Sequence, residues 1–255
     1  EVDPAGGVGA GAGHLRVRDD VPLRLRCLGG FALEIGGRTV DEAAAKPMER
    51  SLLHLLALKA GAAAHREELV ESLWPEAEPD AGVHRLQVAV SSLRRLLGPG
   101  PECVGYLVAR EGDSYRLALP PGSDVDLWRL AQGVRRAVAA RAIGDTAYEE
   151  ACLAEAVAAY GGPLLPGDGP ADWVVGPRGS LQATAADASI RLASLRMDAG
   201  RHLQAAEAAR AGLAVDRYRD ELWQVLIEAA ERSGHQAEAV RARHDYAAVL
   251  EELGV

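Results

Sequence analysis

The most regular pattern of apolar and polar positions in the chain lies in the segment 81–97. Its apolar residues recur at intervals of four, three and four positions, at Leu86, Val90, Leu93 and Leu97. This spacing predicts an α-helix with one buried stripe. No acidic residue occurs in this segment, and the side opposite the stripe carries His84, Val88, Ser91 and Arg95, flanked by Arg85 and Ser92, with Gln87 and Arg94 on the shoulders of the helix. Such side chains can bond base edges, touch a thymine methyl group and neutralise phosphates, which favours a DNA-reading helix. An amphipathic helix with a solvated basic face fits the same pattern.

Strict alternation before this helix predicts a small antiparallel sheet. The run from Leu23 to Cys27 places apolar side chains on one face and arginines on the other, and a second alternating run spans 31–35. Gly36-Gly37 then supplies a two-residue hairpin turn into a short strand at 38–40. The folded part of the chain is therefore expected to begin with two strands and a return strand.

Two further helices and a second hairpin complete the pattern of the first half. Apolar stripes predict helices at 46–59 and 65–73, the first with a proline in its first turn. After the helix at 81–97, the chain is expected to form strands at 103–109 and 115–119. A sheet, three helices and a hairpin in this order are typical of a winged helix-turn-helix, whose third helix enters the major groove.

Two basic residues outside the third helix are further candidates for DNA contact. Arg110 lies near the tip of the predicted hairpin, whose turn contains Gly112. From there it would reach the adjacent minor groove or the backbone. Lys46, at the start of the first helix, is a weaker candidate for a phosphate contact.

The second half of the chain predicts only helices. Apolar periodicity places them at about 127–142, 146–160, 179–199, 202–216, 219–233 and 236–252. Asp124 or Asp126 is placed to cap the first of these helices. The longest irregular stretch of the body is predicted at 161–177, where Trp173 is interpreted as a plug for the helical core rather than as a ligand contact.

An internal repeat relates the last four helices. Three residues return 34 positions later, as the pairs Leu192 and Leu226, Gly200 and Gly234, and Ala205 and Ala239. This is the period of the tetratricopeptide repeat. The glycine ends the first helix of a pair where φ must be positive, and the small alanine lets two helices cross closely. Because two clear repeats are few for a solenoid, the segment 127–160 is expected to supply at least one degenerate unit.

Composition agrees with this division of the chain. Of the 255 residues, 48% are hydrophobic and 25% are charged, and there is a single Phe, so Leu, Ala and Val must fill the cores. The expected fold is mainly α (α+β). We predict a Gly/Ala-rich flexible linker at 1–22, a winged helix-turn-helix domain with a small antiparallel sheet at 23–120, and an all-α, tetratricopeptide-like repeat domain at 121–255.

The net charge of −9 argues at first against nucleic-acid binding. However, the excess acid is unevenly spread, because the segment 23–119 has a net charge of −1 and the segment 120–255 one of −6. The candidate helix thus lies in a nearly neutral part of the chain. Acidity alone does not exclude DNA as a partner.

Cysteine usage and hydropathy indicate the compartment. Cys27, Cys103 and Cys152 are widely spaced, so free thiols in a reducing compartment are expected. No apolar run approaches the roughly 18 residues of a membrane span. We therefore predict a cytoplasmic protein without membrane contact. The chain begins at Glu1 rather than at a methionine and is expected to be a piece of a longer protein.

No catalytic constellation is recognisable. The seven histidines form no His-x-x-x-His pair and no pairing with cysteine, so a metal site is not expected. The glycines at 6–13 follow no strand and precede no Gly-Lys-Ser/Thr, which argues against a nucleotide site. The chain is interpreted as a binding protein without cofactor, and an enzyme is the least favoured class.

Several short motifs carry a resemblance to a known family. They are Leu28-Gly29, Lys46-Pro-Met-Glu-Arg50, Leu73-Trp74-Pro75, Leu86-Gln87, Val90-Ser-Ser-Leu-Arg-Arg-Leu-Leu-Gly98 and Tyr115-Arg116-Leu117. The chain from Leu23 to Val255 resembles the Streptomyces antibiotic regulatory protein family. These are actinobacterial activators with an OmpR-type winged helix, followed by a bacterial transcriptional activation domain that resembles tetratricopeptide repeats.

The resemblance implies a transcriptional activator that binds direct repeats in promoters of double-stranded DNA. It also implies a homodimer that recruits RNA polymerase through its helical half, at genes of secondary metabolism. The candidate roles are phosphate or guanine contacts for Arg85, Arg94 and Arg95, base or backbone hydrogen bonds for His84, Gln87 and Ser91, and a thymine methyl contact for Val88.

One other class of function fits the same residues. In a signalling adaptor or scaffold, the repeats would bind a partner protein and the winged helix would not bind DNA. The net charge of −9 favours this alternative, as does Ser92, since many family members carry a basic residue at that position. The response to salt separates the two, because DNA affinity falls linearly with the logarithm of salt concentration.

Overall fold

The computed structural model describes residues 23–98 and 107–254. The predicted linker at 1–22, Cys103 and the first part of the strand predicted at 103–109 lie outside the described residues. The strands are β1 (Leu23–Arg26), β2 (Ala32–Ile35), β3 (Arg38–Thr39), β4 (Ala64–His65), β5 (Val108–Glu111), β6 (Ser114–Leu117) and β7 (Asp124–Val125). The helices are α1 (Pro47–Leu58), α2 (Arg66–Leu73), α3 (Pro79–Leu97), α4 (Asp126–Ala142), α5 (Thr146–Ala159), α6 (Asp172–Asp198), α7 (His202–Val215), α8 (Asp220–Arg232) and α9 (Gln236–Leu253).

A four-stranded sheet in the order β3-β2-β1-β7 forms the first layer. β1 and β2 are antiparallel with Leu25 opposite Leu33, and both side chains are buried, as the alternation predicts. Gly36 and Gly37 have φ angles of 58° and 79°, the left-handed conformation that a two-residue hairpin turn requires. β7 was not predicted. It pairs parallel to β1 immediately before α4, so this sheet joins the two halves of the chain.

The winged helix-turn-helix is confirmed. α1 and α2 both pack on α3, and a three-stranded sheet in the order β4-β6-β5 follows. β5 and β6 form the predicted hairpin, called the wing below, with Gly112 at a φ of 61° in its turn. The helix α3 therefore packs on α1 and α2 and also contacts β5 of the wing, while β6 contacts α1.

Six helices packed in consecutive pairs form the second half. Positive φ angles of 75°, 71° and 79° at Gly144, Gly200 and Gly234 end the first helix of each pair. The α4–α5 pair is thus the degenerate unit that the repeat analysis expected. Trp223 is buried and its ring stacks on that of Tyr246 at 5.9 Å, which joins α8 to α9. The helical-repeat prediction is confirmed.

The irregular segment predicted at 161–177 is shorter than expected, because α6 begins at Asp172 and continues through Pro177. This proline lies close enough to the start of α6 that only one hydrogen bond of an early turn is lost. Val174 is fully buried, and Trp173 packs half-buried against the same core. Burial of this turn therefore outweighs the break that the Gly- and Pro-rich composition predicts.

One continuous core extends from the first sheet through the winged helix into α4, α5 and α6, and a second cluster fills the repeats. Asp126 lies in the first core, and the backbone N–H groups of Cys27 and Leu28 donate to its Oδ2 at 2.8 and 2.7 Å. Burial raises the pKa of Asp126 against the opposing effect of these hydrogen bonds. The N-cap of α4 is Val125, so the expected cap is wrong. The Asp126 carboxylate binds the backbone directly after β1 through Oδ2, and its Oδ1 accepts the N–H of Leu127 in the first turn of α4 at 2.8 Å.

Candidate nucleic-acid interface

Helix α3 is held in the core by its apolar stripe, whose four predicted members are all buried. At its N-terminal end, Gly82 faces Val70 of α2. A Cβ atom built on Gly82 would lie 2.4 Å from Cγ1 of Val70, so only a residue without a side chain allows this approach. The close packing of α2 and α3 fixes which side of α3 faces outwards.

Most of the predicted contact residues lie exposed together on that outer side. The exposed residues, called the reading face below, are His84, Arg85, Gln87, Val88, Ser91 and Arg95. Val88 is 51% exposed although it is apolar. Oγ of Ser91 donates to the carbonyl oxygen of Gln87 at 2.8 Å, and its lone pairs can still accept a hydrogen bond. This surface presents donors, acceptors and an apolar group to a ligand.

The charge of helix α3 becomes more positive towards its C-terminal end. Asp80 lies in the first turn, whereas Arg94 and Arg95 lie in the last turn, and both placements suit the helix dipole. Arg85 and Arg95 make no ion pair within the part of the chain that the structure describes. Their charge is therefore available to a phosphate.

Two predicted residues of α3 are set apart from the reading face. Ser92 and Arg94 are half-buried. Nε of Arg94 donates to the carbonyl oxygen of Val108, the first residue of β5, at 3.0 Å. At least one N–H group of this guanidinium thus binds the protein itself.

The wing carries the predicted Arg110 and is braced by a residue that sequence analysis missed. Nε of Arg110 donates to the carbonyl oxygen of Gly112 at 2.8 Å, and Nη2 lies 3.7 Å from Oδ1 of Asp113. Arg66, the first residue of α2, donates to the same carboxylate oxygen at 3.0 Å. Because Arg66 and Asp113 are 47 positions apart, no local pattern could have shown that they meet.

Lys46 belongs to a different element, as the N-cap residue of α1. Its side chain is exposed, and its backbone N–H donates to Oε2 of Glu49 at 3.1 Å. The structure thus places the ten predicted residues in four settings: the reading face, the half-buried pair on α3, the wing and the start of α1.

Across residues 23–98 and 107–254, no group of three or more His, Cys, Asp or Glu side chains could hold a metal ion. Among the helices of the described segments, none is long and apolar enough to cross a bilayer.

Comparison with known proteins matches both halves of the chain. Residues 125–255 match the family model of the bacterial transcriptional activator domain, and residues 41–117 match that of the C-terminal domain of transcriptional regulatory proteins. The chain is 31% identical over 239 residues to the regulatory protein AfsR of Streptomyces coelicolor and 30% identical over 218 residues to AfsR of Streptomyces griseus. These alignments cover 91% and 82% of this chain, but only 23% and 21% of the two relatives.

A solved structure has the same fold. It is EmbR of Mycobacterium tuberculosis in complex with a low-affinity phosphopeptide, with a TM-score of 0.72 and 25% identity. The match covers 92% of this chain and 62% of that one. The likeness therefore extends over both the winged helix and the helical repeats.

Proposed function

The chain belongs to the family of bacterial transcriptional regulators that resemble the Streptomyces antibiotic regulatory proteins, and on this premise we propose that it is a sequence-specific DNA-binding transcriptional activator. The observation that carries the proposal is the acid-free reading face of α3, which the buried stripe on the other side turns outwards. In the major groove, this face would meet both base edges and phosphates.

The side chains of the reading face differ in the contacts that their chemistry suits. Arg85 and Arg95 would bind phosphates or guanine edges, and Gln87 would bind an adenine or the backbone. Val88 would contact a thymine methyl group, and this contact would bury an apolar side chain that is exposed in the DNA-free chain. The wing would lie on the neighbouring backbone or minor groove, with Arg110 as its cation.

The helical half would supply the activating function. We propose that it mediates dimerisation on direct repeats and contacts RNA polymerase, at promoters of secondary-metabolite genes in the bacterial cytoplasm. The support is the match of residues 125–255 to the bacterial transcriptional activator domain. The relatives that match are regulatory proteins, and no enzymatic activity is proposed.

The direct test is selection of bound sequences from a random duplex pool with the purified chain. Enrichment of one motif in two copies, spaced by about one helical turn of 10 to 10.5 base pairs, is the expected result. The double variant Arg85→Ala with Arg95→Ala should lose this enrichment. The matched control is Arg135→Ala, which removes an exposed arginine of α4 outside the proposed interface and should select the same motif as the wild type.

The same experiment distinguishes the DNA-binding activator from the alternative function, a signalling adaptor or scaffold. Absence of any enriched motif with the wild-type chain would contradict the proposal and favour an adaptor whose repeats bind a partner protein. Equal enrichment by the wild type and by the double variant would show that another surface reads the DNA.

A further inference from the structure

One side chain connects the end of α3 to the beginning of the wing. Arg94 lies in the last turn of α3 and Val108 is the first residue of β5, and the bond from Nε to the Val108 carbonyl oxygen measures 3.0 Å. The chain between these two elements includes residues 99–106, which the structure does not describe. Arg94 is therefore a direct link between α3 and the wing.

The carbonyl group that Arg94 binds lies at the edge of a sheet. Among the strands of the described segments, β5 is the last in the order β4-β6-β5. The N–H of Ala118 donates to the carbonyl of Leu107 at 2.6 Å, so the next pair along the ladder, Val108 with Leu117, directs its backbone groups away from the partner strand. Val108 is 0% exposed. Within residues 23–98 and 107–254, no strand pairs with this side of β5, so the buried carbonyl of Val108 requires another donor, and Arg94 supplies it.

From this geometry we propose that Arg94 is a positioning residue that fixes the wing against α3, and that it does not read bases. By holding the first residue of β5, it sets where the wing presents Arg110, two residues further along the same strand. This inference rests on the proposed DNA-binding function. Arg95, the next residue, is exposed and belongs to the reading face, so two adjacent arginines have different tasks.

The substitution Arg94→Lys separates positioning from a phosphate contact. Lysine keeps the positive charge, but it places a methylene group where arginine has Nε. A phosphate contact needs only the charge and would survive this change. The bond to the Val108 carbonyl needs the Nε–H donor and would be lost.

The first measurement is hydrogen exchange of the DNA-free chain, in the wild type and in the variants Arg94→Lys, Arg94→Ala and Arg95→Ala. Both Arg94 variants should accelerate exchange in the segment 107–118 by about tenfold, while exchange in α5 to α9 stays at the wild-type rate. The exchange rate in α5 to α9 thereby shows whether a variant has lowered the stability of the whole fold. Arg95→Ala, the matched control, should leave the wing unchanged. The inference would be overturned if the wing of Arg94→Lys exchanged at the wild-type rate.

The second measurement is a double-variant cycle on the duplex that the wild-type chain selects. Arg94→Lys and Arg110→Ala should each weaken binding by about tenfold, and the double variant should bind no more weakly than either single variant. By contrast, the fold-losses of affinity in Arg95→Ala and Arg110→Ala should multiply when the two changes are combined. The positioning role would be overturned if Arg94→Lys bound DNA as tightly as the wild type. It would also be overturned if the fold-losses of affinity in Arg94→Lys and Arg110→Ala multiplied in the double variant.

The two measurements also distinguish this inference from the proposed function. If the wild-type chain selects no duplex, the proposed function fails and the role of Arg94 in DNA binding fails with it. If DNA binding is intact but exchange of the wing does not respond to Arg94→Lys, only the inference fails.

Discussion

His54 of α1 and Asp168 of the segment before α6 form a buried hydrogen bond that connects the two halves of the chain. Nδ1 of the imidazole lies 2.7 Å from Oδ2 of Asp168, and Nε2 lies 2.5 Å from Oε2 of Glu42. His54 is 4% exposed and Phe31 packs on its ring at 4.3 Å. Only the imidazolium form can donate from both nitrogens. Burial by itself lowers the pKa of His54, but hydrogen bonds to Asp168 and Glu42 outweigh this and raise it.

The free energy of unfolding is therefore expected to fall as pH rises above about 6.5. A histidine whose pKa is raised by folding stabilises the protein fully below its unfolded pKa of about 6.5, and this contribution is lost as pH rises through the folded pKa. We predict a decrease in the free energy of unfolding of up to about 1.4 kcal/mol per pH unit in that window. Urea unfolding between about pH 6 and pH 8 measures it. Burial raises the pKa of the Cys27 thiol, so that group stays protonated over this range.

The variant His54→Gln should be less stable than the wild type and should lose this pH dependence. His84→Gln is the control, since His84 is exposed on the reading face. Persistence of the wild-type slope in His54→Gln would show that another group titrates.

Asp126→Ala should destabilise the junction between the halves. It leaves the buried N–H groups of Cys27 and Leu28 without an acceptor, and each unsatisfied group costs about 1–3 kcal/mol. We expect a loss of about 3 kcal/mol in urea unfolding. Asp124→Ala is the matched control, because Asp124 makes a partly exposed ion pair with Arg129 worth about 0–1 kcal/mol. Equal losses in the two variants would contradict the prediction.

Gly82→Ala should separate α2 from α3. The new methyl group would overlap Cγ1 of Val70, whose β-branched side chain has few other rotamers, and overpacking of this kind costs about 1–3 kcal/mol. Adding Val70→Ala should recover part of the loss by making room. Gly179→Ala is the control: it lies in α6 with open space around it and should stabilise the chain by about 0.5–1 kcal/mol. Thermal unfolding compares all four proteins, and an unaffected Gly82→Ala would rule out the close contact.

DNA affinity should depend on salt through the arginines of the reading face. Each phosphate contact contributes a slope of about −0.9 in a plot of log affinity against log salt concentration. Arg95→Ala should reduce the magnitude of the slope by about one contact, whereas Gln87→Ala should weaken binding with the slope unchanged. Fluorescence anisotropy over a salt series gives both quantities. A slope that is the same in wild type and Arg95→Ala would remove Arg95 from the phosphate interface.

Several helices and turns of this protein could be predicted from the sequence alone, because the chemistry of neighbouring residues determines them. The stripe of Leu86, Val90, Leu93 and Leu97 located α3 because helical periodicity is a property of neighbouring residues. The Gly36-Gly37 turn and the repeat of Gly200 and Gly234 were predictable for the same reason, since a positive φ selects glycine at the position itself.

Only the tertiary structure decided which polar groups meet across the fold. Arg94 and Val108 are 14 positions apart, Cys27 and Asp126 are 99 apart, and His54 and Asp168 are 114 apart. The sequence placed Arg94 on the shoulder of α3 as a candidate DNA contact, because helical spacing reports the side of a helix and not what packs against it. Likewise, Pro177 predicted irregular chain where burial of Val174 maintains a helix. In each case the deciding free energy comes from desolvation and hydrogen bonding between distant segments, which no local pattern encodes.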